Sequence, residues 1–102
     1  MWINFDPVAG HEQAGYRPAV VVTSRDYNAQ TQLAVVCPIT RRVKHYRFEV
    51  PLPAGLAVSG VVLSDHVRSV DWRTRGATLI GIVPYDVLEA LEERLAALLR
   101  IE

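Results

Sequence analysis

A single cysteine is all the thiol chemistry this sequence carries. Cys37 alone can form no internal disulfide and cannot build a cysteine-based zinc site, and a chain with no disulfide framework reads as cytoplasmic. No apolar run approaches the roughly 18 residues that a membrane span needs, so no membrane is expected. The opening MWINFDP has no basic region, apolar core or small-residue cleavage site of a secretory leader. The histidines, His11, His45 and His66, include no pair at helical i, i+3 or i, i+4 spacing, so no metal site is expected from them. A Walker loop, a GxGxxG turn and a GxSxG elbow are all missing. There is no repeat, low-complexity tract or linker, and 102 residues suit one domain spanning 1–102.

Net charge is also missing, but its distribution is uneven. Residues 1–83 hold nine Lys/Arg against six Asp/Glu, and residues 84–102 hold two against five. The stretch TRRVKHYR (40–47) has four basic side chains, one His and no acid. A nucleic-acid binder needs positive charge only where phosphates lie, so neutrality overall excludes nothing. A solvated strand edge protected by its charges explains the same stretch.

Short apolar runs between turn signals fill residues 1–83. Strands are expected at Trp2 to Phe5, Pro18 to Thr23, Leu33 to Ile39, Tyr46 to Val50, Gly60 to Leu63 with a continuation at His66 to Val70, and Thr78 to Val83. Alternation in the fourth of these sets Phe48 on one face and Arg47 and Glu49 on the other. SRDYNAQ (24–30) suits a loop or one helical turn. The final VPYDVLEALEERLAALLR changes to helical spacing, with apolar residues at 87/88, 91, 95 and 98/99. Together these predict a mainly β (α+β) chain: a small barrel or strongly curved sheet with a C-terminal amphipathic helix on it.

Three groups of side chains could carry chemistry. Arg17, held by Pro18 and the strand after it, offers a permanently charged fork suited to phosphate, with Glu12 five residues before it. A surface ion pair at a strand start explains that pair equally. Thr40, at a strand end, can donate to a phosphate or simply cap a turn. Asp65, His66 and Arg68 lie within four residues of one another, and His is the natural proton-transfer group near neutral pH; a structural His–Asp pair is the plainer reading.

The order of these stretches narrows the choice. FDPVAGHEQAGYRPAVVV (5–22), CPIT (37–40), YRFEV (46–50), GVVLSDHVRSVDW (60–72), RGA (75–77) and a C-terminal amphipathic helix resemble the MazF/PemK toxin family over nearly the whole chain. That resemblance implies an SH3-like β-barrel, a homodimer, and metal-independent, cofactor-free cleavage of single-stranded RNA at short motifs, as an mRNA interferase. It implies 2′,3′-cyclic phosphate and 5′-hydroxyl products, and a cognate antitoxin whose disordered tail blocks the RNA groove. The family's catalytic arginine and threonine fall on Arg17 and Thr40, and the glutamate of the same block falls on Glu12. For RNA binding the expectation names Arg41, Arg42 and Lys44 on phosphates, Tyr46 or Phe5 stacking on a base, and Gln13, Asp65 and His66 in the groove.

The chain departs from the family pattern in three places. Met1 directly precedes Trp2, where relatives have several more residues, which points to a shortened first strand and bears on its edge pairing and on part of the antitoxin surface around Trp2. Arg41 follows Thr40 where many relatives have a second Ser or Thr. VKHYR (43–47) lacks the Gly and Pro of some relatives, which points to a different cleavage motif. Two other readings compete: a gyrase poison of the CcdB type, which shares the fold but depends on a tryptophan near the C-terminus, and a non-catalytic RNA-binding barrel. The last tryptophan here is Trp72, and the chain ends LLRIE.

Overall fold

The longest strand organises the molecule. In the computed structural model the described residues are 2–5, 17–74 and 76–101, with 2–5 and Arg17 described by backbone alone. Among them run strands β1 (Trp2–Phe5), β2 (Arg17–Val21), β3 (Leu33–Thr40), β4 (Glu49–Pro51), β5 (Val61–Leu63), β6 (Arg68–Asp71) and β7 (Thr78–Gly81). Helices α1 (Arg25–Thr31) and α2 (Tyr85–Leu99) and a 3-10 turn (Ser64–His66) complete the set. The antiparallel sheet is ordered β4-β5-β3-β2-β1-β7, with β6 also on β3.

β5 and β6 lie end to end along one edge of β3. β5 pairs with Ile39 and Thr40, and β6 with Leu33 to Val36. The register on β6 is offset from that on β5 by three residues, the length of the 3-10 turn between them. Cys37 and Pro38 fall in the gap on this edge, so the missing N–H of Pro38 interrupts no ladder there.

Strand alternation sorts the core. Val20 of β2 and Cys37 and Ile39 of β3 face one cluster with Val50, Val62, Val83, Val87 and Leu91. Ala19 and Val21 of β2 and Ala34 and Val36 of β3 face a second with Val70, Trp72 and Ala77. Both faces of the β2–β3 pair are therefore covered, as their near-continuous β-branched runs require. The helix lays Val87 and Leu91 into the first cluster, flanked by Leu88, Ala90 and Leu95. Leu99, the last apolar position of its stripe, stays exposed.

Several expectations need correction. SRDYNAQ forms a true helix through Thr31, because Ser24 accepts the Tyr27 amide at 3.2 Å and so caps its first turn. The expected strand from Tyr46 begins only at Glu49: the Glu49 amide bonds back to the Tyr46 carbonyl at 3.1 Å, which closes a turn over Arg47 and Phe48. Glu49 is therefore buried instead of facing out. The edge pairing of β1 is present on both sides: Trp2 matches Val20 on one and Gly81 on the other, with a bulge at Ile80 in β7.

Candidate functional site

β2 and β3 bring the two leading residues to the same end of the sheet. Their register matches Ala19 with Pro38, Val20 with Cys37 and Val21 with Val36. Carried two residues outward, that count sets the Arg17 backbone opposite Thr40, the last residue of β3. Arg17 also pairs through its backbone with Phe5. Glu12, Gln13 and His11 lie outside the described residues.

Thr40 is held on three sides. Val61 pairs with it across β5. Its hydroxyl accepts the Arg42 amide at 3.1 Å and still has its own hydrogen to donate, so turn capping and substrate contact are compatible. Gly60, at φ +121°, lies against its carbonyl: a Cβ there would sit 2.8 Å from the Thr40 carbonyl carbon and closer to the oxygen.

Beyond Thr40 the chain forms an exposed basic loop. Arg41, Arg42, Lys44 and His45 are all exposed. Among the described residues, none of the Arg41, Arg42 and Lys44 side chains has an ion-pair partner. The loop is clasped at two points. The Glu49 carboxylate, 6% exposed, accepts the Lys44 amide on one oxygen and the His45 amide on the other, both at 2.9 Å. The Tyr46 hydroxyl donates to Asp65 at 2.8 Å, and this bond, with burial second, pushes its pKa up to about 12. Beneath the loop, the Ser64 hydroxyl donates to the Phe48 carbonyl at 2.6 Å, and Arg94 of α2 donates to the Arg47 carbonyl at 3.1 Å.

The loop and the 3-10 turn enclose a cavity of about 150 Å³ lined by Thr40, Arg42, Lys44, Tyr46, Glu49 and His66, with Leu63. His66 lies 3.9 Å from the Asp65 oxygen that Tyr46 holds. The structure thus gathers Thr40, Arg42, Lys44, Tyr46 and His66 around one hollow, with Asp65 held beside it by Tyr46. Arg41 faces a neighbouring cleft of about 490 Å³ with Pro18, Ile39, Ser59 and Ile80. Among the described residues no three His, Cys, Asp or Glu side chains gather as metal ligands would, and no helix is long and apolar enough to cross a membrane.

Sequence reading missed Glu49, Gly60 and Ser64. A signal existed for the first: Glu49 is the sole acid between Thr40 and Pro51, in the most basic stretch of the chain. Gly60 and Ser64 offered none, because one matters for a missing Cβ and the other for a local carbonyl.

Comparison with known proteins identifies the family and the fold. A family model described as "PemK-like, MazF-like toxin of type II toxin-antitoxin system" matches residues 1–99. The endoribonuclease toxin MazF of Escherichia coli strain K12 is 42% identical over 99 residues, covering 97% of this chain and 88% of the relative. A crystal structure of MazF from Deinococcus radiodurans matches at 53% identity and TM-score 0.84, over 98% of this chain and 91% of that one. A MazE–MazF crystal structure from the same organism matches at 44% identity and TM-score 0.90, over 99% and 92%.

Proposed function

The chain belongs to the PemK-like, MazF-like family of type II toxins, and from that premise we propose that it is a metal-independent endoribonuclease that cuts single-stranded RNA at Arg17 and Thr40. The observation that carries this reading is the β2–β3 register, which, extended two residues outward, puts the Arg17 backbone opposite Thr40 beside a basic loop whose Arg41, Arg42 and Lys44 have no ion-pair partner among the described residues.

The chemistry follows from the side chains. The 2′-hydroxyl of a nucleotide attacks its own 3′ phosphate, giving a 2′,3′-cyclic phosphate and expelling a 5′-hydroxyl. Charge builds on the phosphoryl oxygens as phosphorus becomes five-coordinate. A fixed guanidinium and a hydroxyl donor stabilise that charge. Arg17 keeps its positive charge at any working pH and is no base. Glu12 therefore receives the 2′-hydroxyl proton, and Arg17 supplies one to the leaving oxygen. A histidine is the alternative base; full activity in Glu12→Gln would move the role there.

Arg41, Arg42 and Lys44 hold phosphates, Tyr46 and Phe5 offer stacking faces, and Gln13, Asp65 and His66 read the bases. Unpaired RNA suits such a groove because its bases expose both faces and edges. The reading includes one domain over residues 1–102, a homodimer, a cytoplasmic location, and a cognate antitoxin whose disordered tail covers the groove; the MazE–MazF structure supports the antitoxin.

The test is incubation with a long single-stranded RNA in EDTA, mapping 5′ ends, with Arg17→Ala alongside. Cuts at a recurring motif that survive EDTA and vanish in the variant are expected. Absence of cutting, with inhibition of gyrase supercoiling, would replace the reading with a gyrase poison. Tight RNA binding without cutting would replace it with a binding barrel.

A further inference from the structure

Glu49 is a buried carboxylate that the cleavage chemistry does not use. Its two oxygens are both occupied by consecutive backbone amides, those of Lys44 and His45, each at 2.9 Å. With 6% of its surface accessible, and both oxygens engaged, it is poorly placed to touch substrate itself. We propose that Glu49 is a positioning residue for RNA recognition: its carboxylate fixes the 41–46 loop in the one shape that presents Arg42, Lys44 and Tyr46 to the phosphates and bases of single-stranded RNA.

Three observations support this. First, a carboxylate that accepts two backbone N–H groups makes charge-assisted bonds, the strong kind, and both fall in the middle of the loop. Secondly, His45 has φ +58°, a left-handed conformation unfavourable for a residue with a Cβ. That bend turns the chain immediately after the two amides that Glu49 holds, so the clasp sits at the unfavourable point of the loop and helps to hold it. Thirdly, Glu49 begins β4 and pairs with Leu63, while Ser64 grips the Phe48 carbonyl, so the clasp is anchored to the sheet and not to another loop. The loop has no regular structure of its own between Thr40 and Glu49 to define its path. The Tyr46–Asp65 bond is the second clasp and pins only the far end of the loop.

Negative charge in the middle of an RNA-binding surface would ordinarily repel phosphate. Here it is spent on backbone amides beneath the loop, while the cationic side chains remain exposed above. The arrangement separates the charge that shapes the loop from the charges that bind.

The inference rests on the reading of this loop as an RNA contact, and the experiment separates the two. RNA affinity is measured in a Thr40→Ala background, so that substrate survives, for Glu49→Gln and for Arg42→Ala/Lys44→Ala. Cleavage kinetics are measured in the Thr40 protein. Glu49→Gln keeps the size but turns one acceptor into an NH₂ donor facing an N–H. It is expected to raise KM for RNA about tenfold, leave kcat within about twofold and blur the preferred cut site. Glu49→Asp is expected to recover part of the affinity. If Arg42→Ala/Lys44→Ala binds RNA normally, the loop reading fails and the inference with it. If that double variant binds weakly while folded Glu49→Gln binds normally, the inference alone fails. Amide hydrogen exchange on the unmutated protein adds a check independent of folding of the variants. Lys44 and His45 should be protected well above Val43 and Arg47; equal exchange at all four would overturn the clasp.

Discussion

Gly60 leaves empty the space that the Thr40 carbonyl occupies, and its backbone is in a conformation that residues with a Cβ rarely adopt. The position of Thr40 at the candidate site thus depends on a residue with no side chain. Gly60→Ala must push the end of β3 away, because the obstructing atoms are backbone and cannot rotate aside. It is expected to cost about 1–3 kcal/mol, as overpacking does, which for a domain of this size lowers Tm by roughly 4–8 °C per kcal/mol. RNA cleavage should fall further than stability does. Thermal melts beside single-turnover rates measured well below Tm check both; unchanged rates would free Thr40 from this constraint.

Thr40 itself separates into two roles. Its hydroxyl oxygen caps the Arg42 amide, and its hydrogen remains available to a phosphate. Thr40→Ser preserves both and should stay within a few-fold of the parent rate. Thr40→Ala removes both, and the expected loss is about 10²–10³ in kcat, the cost of one transition-state donor. Thr40→Val, closer in shape, should resemble the alanine variant. A serine variant as slow as alanine would shift the importance to the methyl group and its packing.

Arg42 lines the cavity and has no ion-pair partner among the described residues. If it neutralises a phosphate, Arg42→Ala should flatten the salt dependence of RNA binding. Each single-strand contact contributes about 0.7 to the slope of log K against log salt. Binding titrations at several salt concentrations measure that slope directly. A weaker but parallel line would mean that Arg42 acts through loop shape and not charge.

Cys37 gives a pH-dependent signature. Burial first, and the Asp65 carboxylate second, push its thiol from 9.0 to about 11. Below pH 9 the thiol is protonated whether the chain is folded or not, and stability is unaffected. Between about 9 and 11 the unfolded chain releases the proton while the folded one keeps it. Stability from this group is therefore lost as pH rises through that window. Denaturant midpoints from pH 8 to 11 should fall more steeply for the parent than for Cys37→Ala. The same burial should keep the folded protein inert to thiol-alkylating reagents until it unfolds.

The legible parts of the fold were those where side-chain period and burial coincide. The β-branched runs at β2 and β3 and the leucine spacing of α2 announced themselves, since each is covered on the faces its pattern marks. The 46–50 segment misled because Arg47, Phe48 and Glu49 alternate in polarity while a turn takes two of them out of the ladder. Arg17 and Thr40 could be paired from motif order, but their opposition follows from strand register, which a linear pattern does not display. Glu49 was legible only as the lone acid of a basic stretch and not by its role: its partners are backbone amides, and those exist at every non-proline position of any sequence.

Two of the candidate catalytic residues bound one strand–helix–strand segment, with Arg17 at its first position and Thr40 at its last. Chain synthesis runs from the N-terminus, so this segment is polymerised before Glu49, Gly60 and Asp65. Closing the segment is also a comparatively local event, of the kind that forms quickly. The residues that seat Thr40 and shape the loop are therefore added after the segment they serve. The order of synthesis matches the order of dependence: the framework comes first and the pieces that fit it come later, from chain order alone.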